Sequence, residues 1–563
     1  TLLCALARTG PLCAKTVTYD LNIGEKKVDL TGKTVTALAI NGTIPGPTLH
    51  FQEGDTAVIR VHNDLPAAAF FRAPMDTSLH WHGMLVPNAM DGVPYVTYPP
   101  IKPGGTFTYT FGIKQSGTYW YHSHSGLEEQ RGLYGAIVIE PGPRTKRRYH
   151  PDVDKAVVLS DWTDENPHAV LRALKRGSEW FSIKKKSAQS VVGAIRRGEL
   201  GRYFKRELLR MPPMDISDVY YDRFLADGAP RMQVDAKPGD LVRLRIVDGS
   251  ASTFFFLQFA GGPVKIISAD GQDVQPDEEN RFLIAIAETY DVLLKVPSGG
   301  SFEFRATAQD GSGHASIWLG QGPEHPAPDV PKPDLYRVML GKLSLAKIFA
   351  PTPAGTMGMS ARAVAAGKFD HPGMMGGMSM ADSATSNAST GAMAGMDMSG
   401  MDMSGMDMSG MDMTSSMPPA TKPEPAGAYA ADGTKERPFP PYARLKSLKP
   451  TAFAPGPVRT YRLTLDGDMD RYIWMINNKV LSESRSIRVR QGEVTRFIMI
   501  NRTMMHHPMH LHGHFFRVID GQGEYSPLKH TVDVAPMSTV VIEFLPDAEG
   551  DWFFHCHILY HMM

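Results

Sequence analysis

Histidines spaced two residues apart are the side chains of this chain best suited to chemistry. They occur in four short motifs: HWHG (His80, His82), HSH (His122, His124), HPMHLHGH (His507, His510, His512) and HCHILYH (His555, His557, His561). Imidazole is the commonest metal ligand in proteins, although one such pair is a weak signal by itself. Two motifs lie early in the chain and two at its end, so together they predict a cage of eight imidazoles facing inward.

Cys556 stands between His555 and His557. Successive side chains of an extended strand point to opposite faces, so the two histidines share one face and the thiol lies on the other. One short strand then serves two sites back to back. Imidazole suits copper, iron and zinc, and two histidines with one cysteine are the ligands of blue-copper electron-transfer sites. Cys556 with His507 and His561 supplies that set.

At these motifs the sequence resembles the multicopper oxidases, and more closely their bacterial copper-resistance branch, the CopA-type periplasmic copper oxidases. The resemblance covers nearly the whole chain and includes INGTIPGPTLHFQEGD, MDGVPYV and SGTYWYHSHSGLEEQRGLYGAIVIEP. It implies four catalytic copper ions, one of type 1, one of type 2 and two of type 3. It also implies that four one-electron oxidations of a reductant are coupled to the reduction of dioxygen to water.

The resemblance assigns the ligands position by position. The type 1 copper takes His507, Cys556 and His561, the type 2 copper takes His80 and His510, and the type 3 pair takes His82, His122, His124, His512, His555 and His557. Cys556 and its two neighbours then join an electron-accepting site to an oxygen-reducing one. These three residues are therefore predicted to be catalytic as well as metal-binding.

Three further polar residues lie near these motifs. Asp91, in PNAMDGVPY, matches an acidic position that the family places near the trinuclear site. A carboxylate there relays protons or orients a metal-bound water; the alternative is an Asx turn before Gly92. His506 and His514 fall outside the family's ligand positions, and we expect packing or solvent contact from them.

The methionines indicate the reductant, because thioether sulfur selects Cu(I). They are concentrated in HPGMMGGMSM and in a repeat with Met396, Met398, Met401, Met403, Met406, Met408, Met411 and Met413. Met505 stands two residues before His507, where cuprous oxidases also carry a methionine. We expect additional Cu(I) at these residues and Cu(I) as the reductant. The alternatives are a laccase-like phenol oxidase and a copper-sequestering protein in which turnover is incidental.

An internal repeat predicts the fold. EGDTAVIRVHN, PGDLVRLRIVD and QGEVTRFIMIN each combine a Gly-acid turn with an alternating strand that ends in Asn or Asp. Repeats of this length indicate duplicated all-β domains, here three cupredoxin-like Greek-key sandwiches or barrels. We place a signal-like remnant at 1–14, the domains at 15–145, 146–340 and 440–563, a helical insertion at about 165–212, and a flexible Met-rich insertion at 341–439.

Composition excludes several classes of protein. Lys plus Arg equals Asp plus Glu at 59 each, so no nucleic-acid partner is expected, and the bases of 165–212 are read as a solvated helical face. Three cysteines are too few for a disulfide framework. There is no apolar run long enough for a membrane span. The opening TLLCALARTGPLCAKTV resembles the tail of an export signal, which predicts a periplasmic protein with copper-delivery proteins as candidate partners.

The last residues raise the question of the axial type 1 ligand. In the family this ligand, often Met, lies ten residues after the cysteine, which falls three residues beyond Met563. Met562 directly follows His561, so a turn that brings His561 to the metal aims Met562 elsewhere. A sandwich domain also needs another strand to cover its edge. We therefore expect a chain truncated at its C-terminus, with an axial position open to water.

Overall fold

The protein is described by a computed structural model. It covers residues 14–67, 75–143, 145–177, 179–209, 216–336, 359–374, 434–469 and 471–562. The Met-Asp-Met repeat, Cys4, Cys13 and Met563 lie outside these residues. The fold is built almost entirely from strands, which confirms the predicted all-β class.

The first unit contains two four-stranded sheets. Its strands are β1 (Thr16–Asp29), β2 (Thr34–Ile40), β3 (Leu49–Gln52), β4 (Thr56–Asn63), β5 (His80–His82), β6 (Thr106–Gly112), β7 (Gly117–His122) and β8 (Tyr134–Glu140). One sheet has the order β2-β1-β4-β6 and the other β3-β8-β7-β5. A continuous apolar core fills this unit.

The second unit is larger and carries helices. Its strands are β9 (Val153–Trp162), β10 (Arg223–Ala226), β11 (Arg231–Val234), β12 (Leu241–Asp248), β13 (Phe255–Phe259), β14 (Val264–Ala269), β15 (Gln272–Glu279), β16 (Phe282–Ile284), β17 (Thr289–Lys295), β18 (Ser301–Ala308), β19 (His314–Gly320) and β20 (Glu324–His325). Between β9 and β10 lie α1 (Pro167–Leu174), α2 (Trp180–Lys185), α3 (Val191–Arg197) and α4 (Leu200–Leu208). The sheet orders are β10-β9-β12-β17-β14-β15 and β11-β19-β18-β13-β16, with β20 beside β18.

The third unit carries the C-terminal histidine motifs. It contains α5 (Ala361–Ala365), β21 (Gly373–Met374), β22 (Val458–Asp468), β23 (Ile473–Ile476), β24 (Val494–Asn501), β25 (His507–Leu511), β26 (Phe516–Ile519), β27 (Leu528–Lys529), β28 (Thr531–Val534), β29 (Ser538–Phe544) and β30 (Phe554–Cys556). One sheet has the order β23-β22-β24-β29-β26-β27, with β21 beside β29, and the other has the order β28-β25-β30. Short 3-10 helices occur at Asn88–Met90, Glu129–Arg131, Gly523–Tyr525 and Leu559–His561.

The internal repeat appears as one recurring strand arrangement. The repeated segments become β4, β12 and β24, each of eight residues. Each runs parallel to the first long strand of its unit, respectively β1, β9 and β22. Each also pairs antiparallel with a later strand, respectively β6, β17 and β29. The three units therefore share one strand plan.

One part of the predicted flexible insertion is structured instead. Residues 359–374 form α5 and β21 and pack on the third unit, although they fall inside the predicted 341–439 segment. The Ser360 side chain caps α5 by accepting a hydrogen bond from the Ala363 amide. Met359, Val364 and Phe369 are buried in a cluster with residues of β24 and β29. The sequence did not reveal this packing, because its methionine-rich composition continues beyond residues 359–374.

A buried ion cluster connects the second and third units. Lys529 Nζ lies 3.1 Å from carboxylate oxygens of both Asp270 and Glu288, and none of the three side chains is exposed. Burial alone would lower the pKa of Lys529, but the carboxylates of Asp270 and Glu288 outweigh it and raise that pKa. The rings of Tyr290 and Tyr442 flank the ammonium at 5.1 and 5.5 Å. The lysine therefore stays charged between two units.

Among the described residues, no helix is both long and apolar enough to cross a bilayer.

Replacing Lys529 by Ala tests this cluster. We expect the free energy of unfolding of the metal-free protein to fall by ~3–5 kcal/mol, because buried carboxylates lose their cation. Denaturant unfolding measures this change. The matched control is Arg60→Ala, which removes an exposed pair with Asp20 at 2.6 Å and is expected to leave the transition unchanged. Similar behaviour of the two variants would contradict a stabilising role for the cluster.

Candidate metal centres

Two early histidine motifs meet through one pair of strands. β5 and β7 are antiparallel, with His80 opposite His122 and His82 opposite Trp120. Strand alternation therefore places His80 and His82 on the same face, while Trp81 turns into the apolar core. His124 follows β7, and its ring lies 5.0 Å from that of His80. All of these histidines except His124 are less than 2% exposed.

The late motifs repeat this arrangement in the third unit. β25 and β30 are antiparallel, with Met509 opposite Cys556 and His510 opposite His555. Because faces alternate, His510 and His555 project to one side and Cys556 to the other. The predicted division of HCH between two sites is what the register of these strands produces.

The first and third units bring their histidines together in one cage. The rings of His82 and His510 stack at 3.7 Å, and those of His80 and His512 lie 3.9 Å apart. Groups whose ligand atoms lie within 4.8 Å of one another are His80, His82 and His510; His80, His124 and His512; and His82, His122 and His557. His555 Nε2 lies 3.2 Å from His512 Nε2. All eight predicted cage histidines are therefore neighbours.

Hydrogen bonds fix which nitrogen of each ring faces the cage. His80 Nδ1 donates to the Asp91 carbonyl at 2.7 Å, and His510 Nδ1 donates to the His530 carbonyl at 2.8 Å. His82 uses Nε2 instead, in a 3.0 Å bond with Thr531 Oγ1. The opposite nitrogens have no hydrogen-bond partner although they are buried: His80 Nε2, His82 Nδ1 and His510 Nε2, together with His124 Nε2 and His557 Nδ1.

Burial favours the neutral imidazole at seven of the cage histidines. Loss of solvent, followed by the neighbouring histidines, lowers the pKa well below its usual range for His82, His122, His124, His510, His512 and His557. Burial also lowers the pKa of His555, to about 4. Metal binding needs the neutral ring, so burial holds these seven histidines in the ligand form.

Asp91 connects both halves of the cage. Its Oδ2 accepts a 2.9 Å hydrogen bond from His512 Nδ1, while its carbonyl holds His80. Gly92 makes this approach possible, because it adopts φ +87° and a Cβ there would lie 1.9 Å from the Leu79 carbonyl. Oδ1 of Asp91 is also buried and lies 3.4 Å from His80 Nδ1. The carboxyl group therefore contacts one histidine from the early motifs and one from the late motifs.

Cys556 forms a separate group with His507 and His561, whose ligand atoms also lie within 4.8 Å of one another. His561 Nδ1 is 3.7 Å from the sulfur. His507 Nε2 is held by Thr503 Oγ1 at 2.9 Å, which leaves its Nδ1 for the group. Burial raises the pKa of the Cys556 thiol well above its usual range, and a bound metal ion favours the thiolate.

Several side chains at these sites were not predicted. Asp218, from the second unit, accepts a 2.8 Å hydrogen bond from His561 Nε2 and another of 2.6 Å from the Tyr472 hydroxyl. The Trp474 ring stacks on His561 at 3.7 Å. Glu129 Oε2 lies 2.6 Å from His122 Nδ1. Glu129 lies within the SGLEEQRG segment, whose resemblance to the family could have indicated this residue. The sequence around Asp218 or Trp474 contains no comparable motif.

Other predicted residues have different surroundings. His506 bonds through Nδ1 to Asp533 at 2.7 Å, and His514 Nδ1 donates to the His512 carbonyl at 3.0 Å. Neither belongs to the candidate metal groups found among the described residues. Met505 is 3% exposed, and its carbonyl accepts a hydrogen bond from Asn501. Met562 packs partly buried against the apolar core. That Met562 points away from the type 1 group stays a prediction.

Comparison with known proteins agrees with this geometry. Family models described as multicopper oxidase match residues 22–144, 154–320 and 455–563. The chain belongs to the multicopper oxidase family. It is similar to copper resistance protein A of Escherichia coli (36% identity) and of Pseudomonas syringae pv. tomato (35% identity), each over 97% of this chain and 90% of the relative. A laccase structure from Botrytis aclada aligns with a TM-score of 0.61 at 19% identity, covering 98% of this chain and 86% of the laccase.

This membership makes the chain a copper-dependent oxidoreductase that uses dioxygen and a reducing substrate, and it confirms the resemblance read from the motifs. The side chains present fit copper. Buried imidazole nitrogens without a partner face one another in the cage, and such atoms are costly unless they bind something. The group of two histidines and one cysteine is a softer donor set that suits a blue-copper site.

Removing the Thr531 hydroxyl tests how the cage is held. Thr531 Oγ1 bonds to His82 Nε2 and, at 3.2 Å, to His510 Nδ1. We expect Thr531→Val to weaken copper retention in the cage by about 10- to 100-fold, as losing an outer hydrogen-bond partner does elsewhere. Copper content after dialysis against graded chelator measures this.

The matched control is Thr503→Val, since Thr503 holds His507 of the other group. That variant is expected to alter the blue absorption and spare the cage. If Thr531→Val kept its copper as firmly as the parent chain, the hydroxyl would not be what orients these rings.

Proposed function

We propose that this chain is a periplasmic cuprous oxidase of copper resistance, which oxidises Cu(I) to Cu(II) with dioxygen. The observation that carries the oxidase part is the division of HCH: Cys556 joins His507 and His561, while His555 and His557 join the cage. The relatives named copper resistance protein A support the physiological role. The export-like opening of the sequence supports the location.

The ligand assignment belongs to this proposal. His507, Cys556 and His561 hold one type 1 copper; His80 and His510 hold the type 2 copper; and His82, His122, His124, His512, His555 and His557 hold the type 3 pair. When bound, these ions supply one-electron oxidation at the first group and four-electron reduction of dioxygen in the cage. Cys556 is bonded in the chain to both His555 and His557, so one strand links the two groups covalently.

Two buried carboxyls act on protons and ring orientation. Asp91 fixes the His512 tautomer through Oδ2, and its buried Oδ1, 3.4 Å from His80 Nδ1, is the oxygen that we propose accepts or returns a proton during dioxygen reduction. Glu129 contacts His122 Nδ1 in the same way. Burial, followed by the charges of Asp161 and Asp248, raises the pKa of Glu129 well above its usual range, and its contact with Nδ1 orients the His122 ring.

Methionine supports Cu(I) as the reductant. Met505 is buried in the loop that supplies His507, two residues before it. The Met-Asp-Met repeat falls outside the described residues, and we propose from its sequence that it binds additional Cu(I). A phenol-oxidising laccase with the same copper sites is an outcome that the experiment below distinguishes.

Separate substitutions test the two copper groups. His512→Ala is expected to abolish dioxygen reduction while the type 1 copper stays reducible, because His512 belongs only to the cage. Cys556→Ser is expected to remove both the blue absorption and electron entry. Absorption spectroscopy under anaerobic reduction, with oxygen uptake on readmission of air, measures both outcomes.

His514→Gln is the matched control, because His514 shares the loop of His512 but belongs to no candidate metal group. It is expected to keep blue absorption and oxygen uptake. Near-normal turnover by His512→Ala, or retained blue colour in Cys556→Ser, would show that the ligand assignment is wrong.

Oxygen uptake with different reductants tests the substrate. Sustained consumption driven by Cu(I), faster than with phenols, is expected. Deleting residues 396–413 is expected to lower the rate at low Cu(I) more than the rate with phenols, since it removes thioethers without touching the catalytic groups. Rapid phenol turnover with little Cu(I) activity would identify a laccase. Stoichiometric Cu(I) binding without turnover would identify a sequestering protein.

A further inference from the structure

Exposed apolar side chains are concentrated on the helices of the second unit. Fourteen large apolar side chains are exposed in the described part of the chain, and seven of them lie between residues 180 and 208. They are spaced to share helix faces: Trp180 and Ile183 on α2, Val192 and Ile195 on α3, and Phe204 and Leu208 on α4. A concentration of exposed apolar side chains of this kind indicates an interaction site.

The burial pattern of α4 is inverted. Phe204 and Leu208 are 52% and 49% exposed, whereas Arg206 between them is only 5% exposed. The Arg206 guanidinium lies 4.9 Å from the centre of the Tyr203 ring and hydrogen-bonds to the side chains of Gln189 and Glu207. A helix that faces only water and its own domain would turn its apolar side inward. This helix turns its apolar side outward.

The same segment is strongly basic. Residues 165–212 contain twelve Lys and Arg but four Asp and Glu, whereas the whole chain has 59 of each kind. The segment therefore has a formal charge of +8, and the rest of the chain carries the opposite excess. Arg172, Lys175, Arg176, Lys186 and Arg196 are exposed among the apolar helices. The sequence predicted a solvated basic face, but the exposed surface is both basic and apolar.

We infer that helices α2, α3 and α4 bind the surface of an anionic phospholipid membrane. Trp, Phe and Leu beside Lys and Arg are the composition of helices that lie in a membrane interface. A protein partner is a poorer match, because interface cores are depleted of lysine, and five of the twelve bases are lysines. Each basic residue near an anionic surface adds to the attraction, so the charge of this segment complements acidic lipid.

The lipid-binding face lies beside the type 1 group. The Lys185 amine, at the end of α2, donates a hydrogen bond to the Ser217 carbonyl. The next residue, Asp218, bonds to His561. Membrane binding would thus bring this edge of the protein near the lipid surface, whichever reductant it uses. The inference stands independently of the proposed substrate.

Vesicle binding by the copper-loaded full chain tests the inference. Cosedimentation is expected with vesicles of phosphatidylethanolamine and phosphatidylglycerol, to weaken with salt, and to be absent with pure phosphatidylcholine. Trp180 is the only exposed tryptophan of the seven in the sequence. Brominated acyl chains are therefore expected to quench part of the fluorescence in the parent chain and none of it in Trp180→Phe.

Paired variants separate lipid binding from general surface effects. Ile183→Asn with Phe204→Asn, and separately Arg176→Glu with Arg196→Glu, are each expected to reduce partitioning by about tenfold or more. The matched controls are Leu481→Asn with Val489→Asn, and Lys33→Glu with Lys449→Glu, all exposed positions in other units. The controls are expected to bind as the parent does. Oxygen uptake in solution is expected to be unchanged in every variant.

Three results would overturn the inference. One is equal loss of binding in test and control variants. Another is concentration-dependent self-association that Ile183→Asn abolishes while no vesicles bind, which would make a second copy the occupant of this face. The third is vesicle binding that appears only after deletion of residues 375–433, which would make that segment the occupant in the intact chain.

Discussion

The structure depends on burying eight imidazoles against one another, five of which keep a nitrogen without a hydrogen-bond partner. Loss of solvent favours the neutral ring at seven of them, and each buried nitrogen without a partner costs ~1–3 kcal/mol before a metal binds. Backbone carbonyls, Thr531 and Asp91 hold the other nitrogens, so the rings cannot turn to satisfy both. The unpaired nitrogens therefore favour metal binding. The four strands that carry the histidines, β5, β7, β25 and β30, are short and largely buried.

The second unit contributes none of the cage histidines, yet it supports both sites. Asp270 accepts hydrogen bonds from the backbone amides of His530 and Thr531 at 3.1 Å, and Thr531 in turn contacts His82 and His510. Lys529 directly precedes His530, and its positive charge is balanced by the carboxylates of Asp270 and Glu288. The second unit therefore contributes buried carboxylates rather than cage histidines. Those carboxylates position a segment of the third unit against the first.

Spacing in the sequence was enough to predict which of these side chains share a face, because successive residues of a strand point to opposite sides. His-x-His must share a face, and Cys556 must leave it, whatever the rest of the fold does. The residues that contact these ligands could not be predicted from the sequence. Asp218, Asp270 and Trp474 come from distant parts of the chain, and no local sequence pattern indicates which carboxylate contacts which imidazole. The helices of residues 165–212 were predicted from their periodicity, but the sequence did not show which side faces the protein. Only the burial of the side chains shows that Arg206 faces inward and Phe204 outward.

The two metal groups differ in what holds them together. His507, Cys556 and His561 all belong to the third unit, and Asp218 is a hydrogen-bond partner from another unit. The cage instead draws four histidines from each of two units. Pairing of β25 with β30 fixes the distance between the groups, because His510 opposite His555 and Met509 opposite Cys556 belong to one register, and a one-residue slip would exchange the faces. Loosening the contact between the first and third units is therefore expected to disturb the cage, whereas the three members of the cysteine group stay together within the third unit.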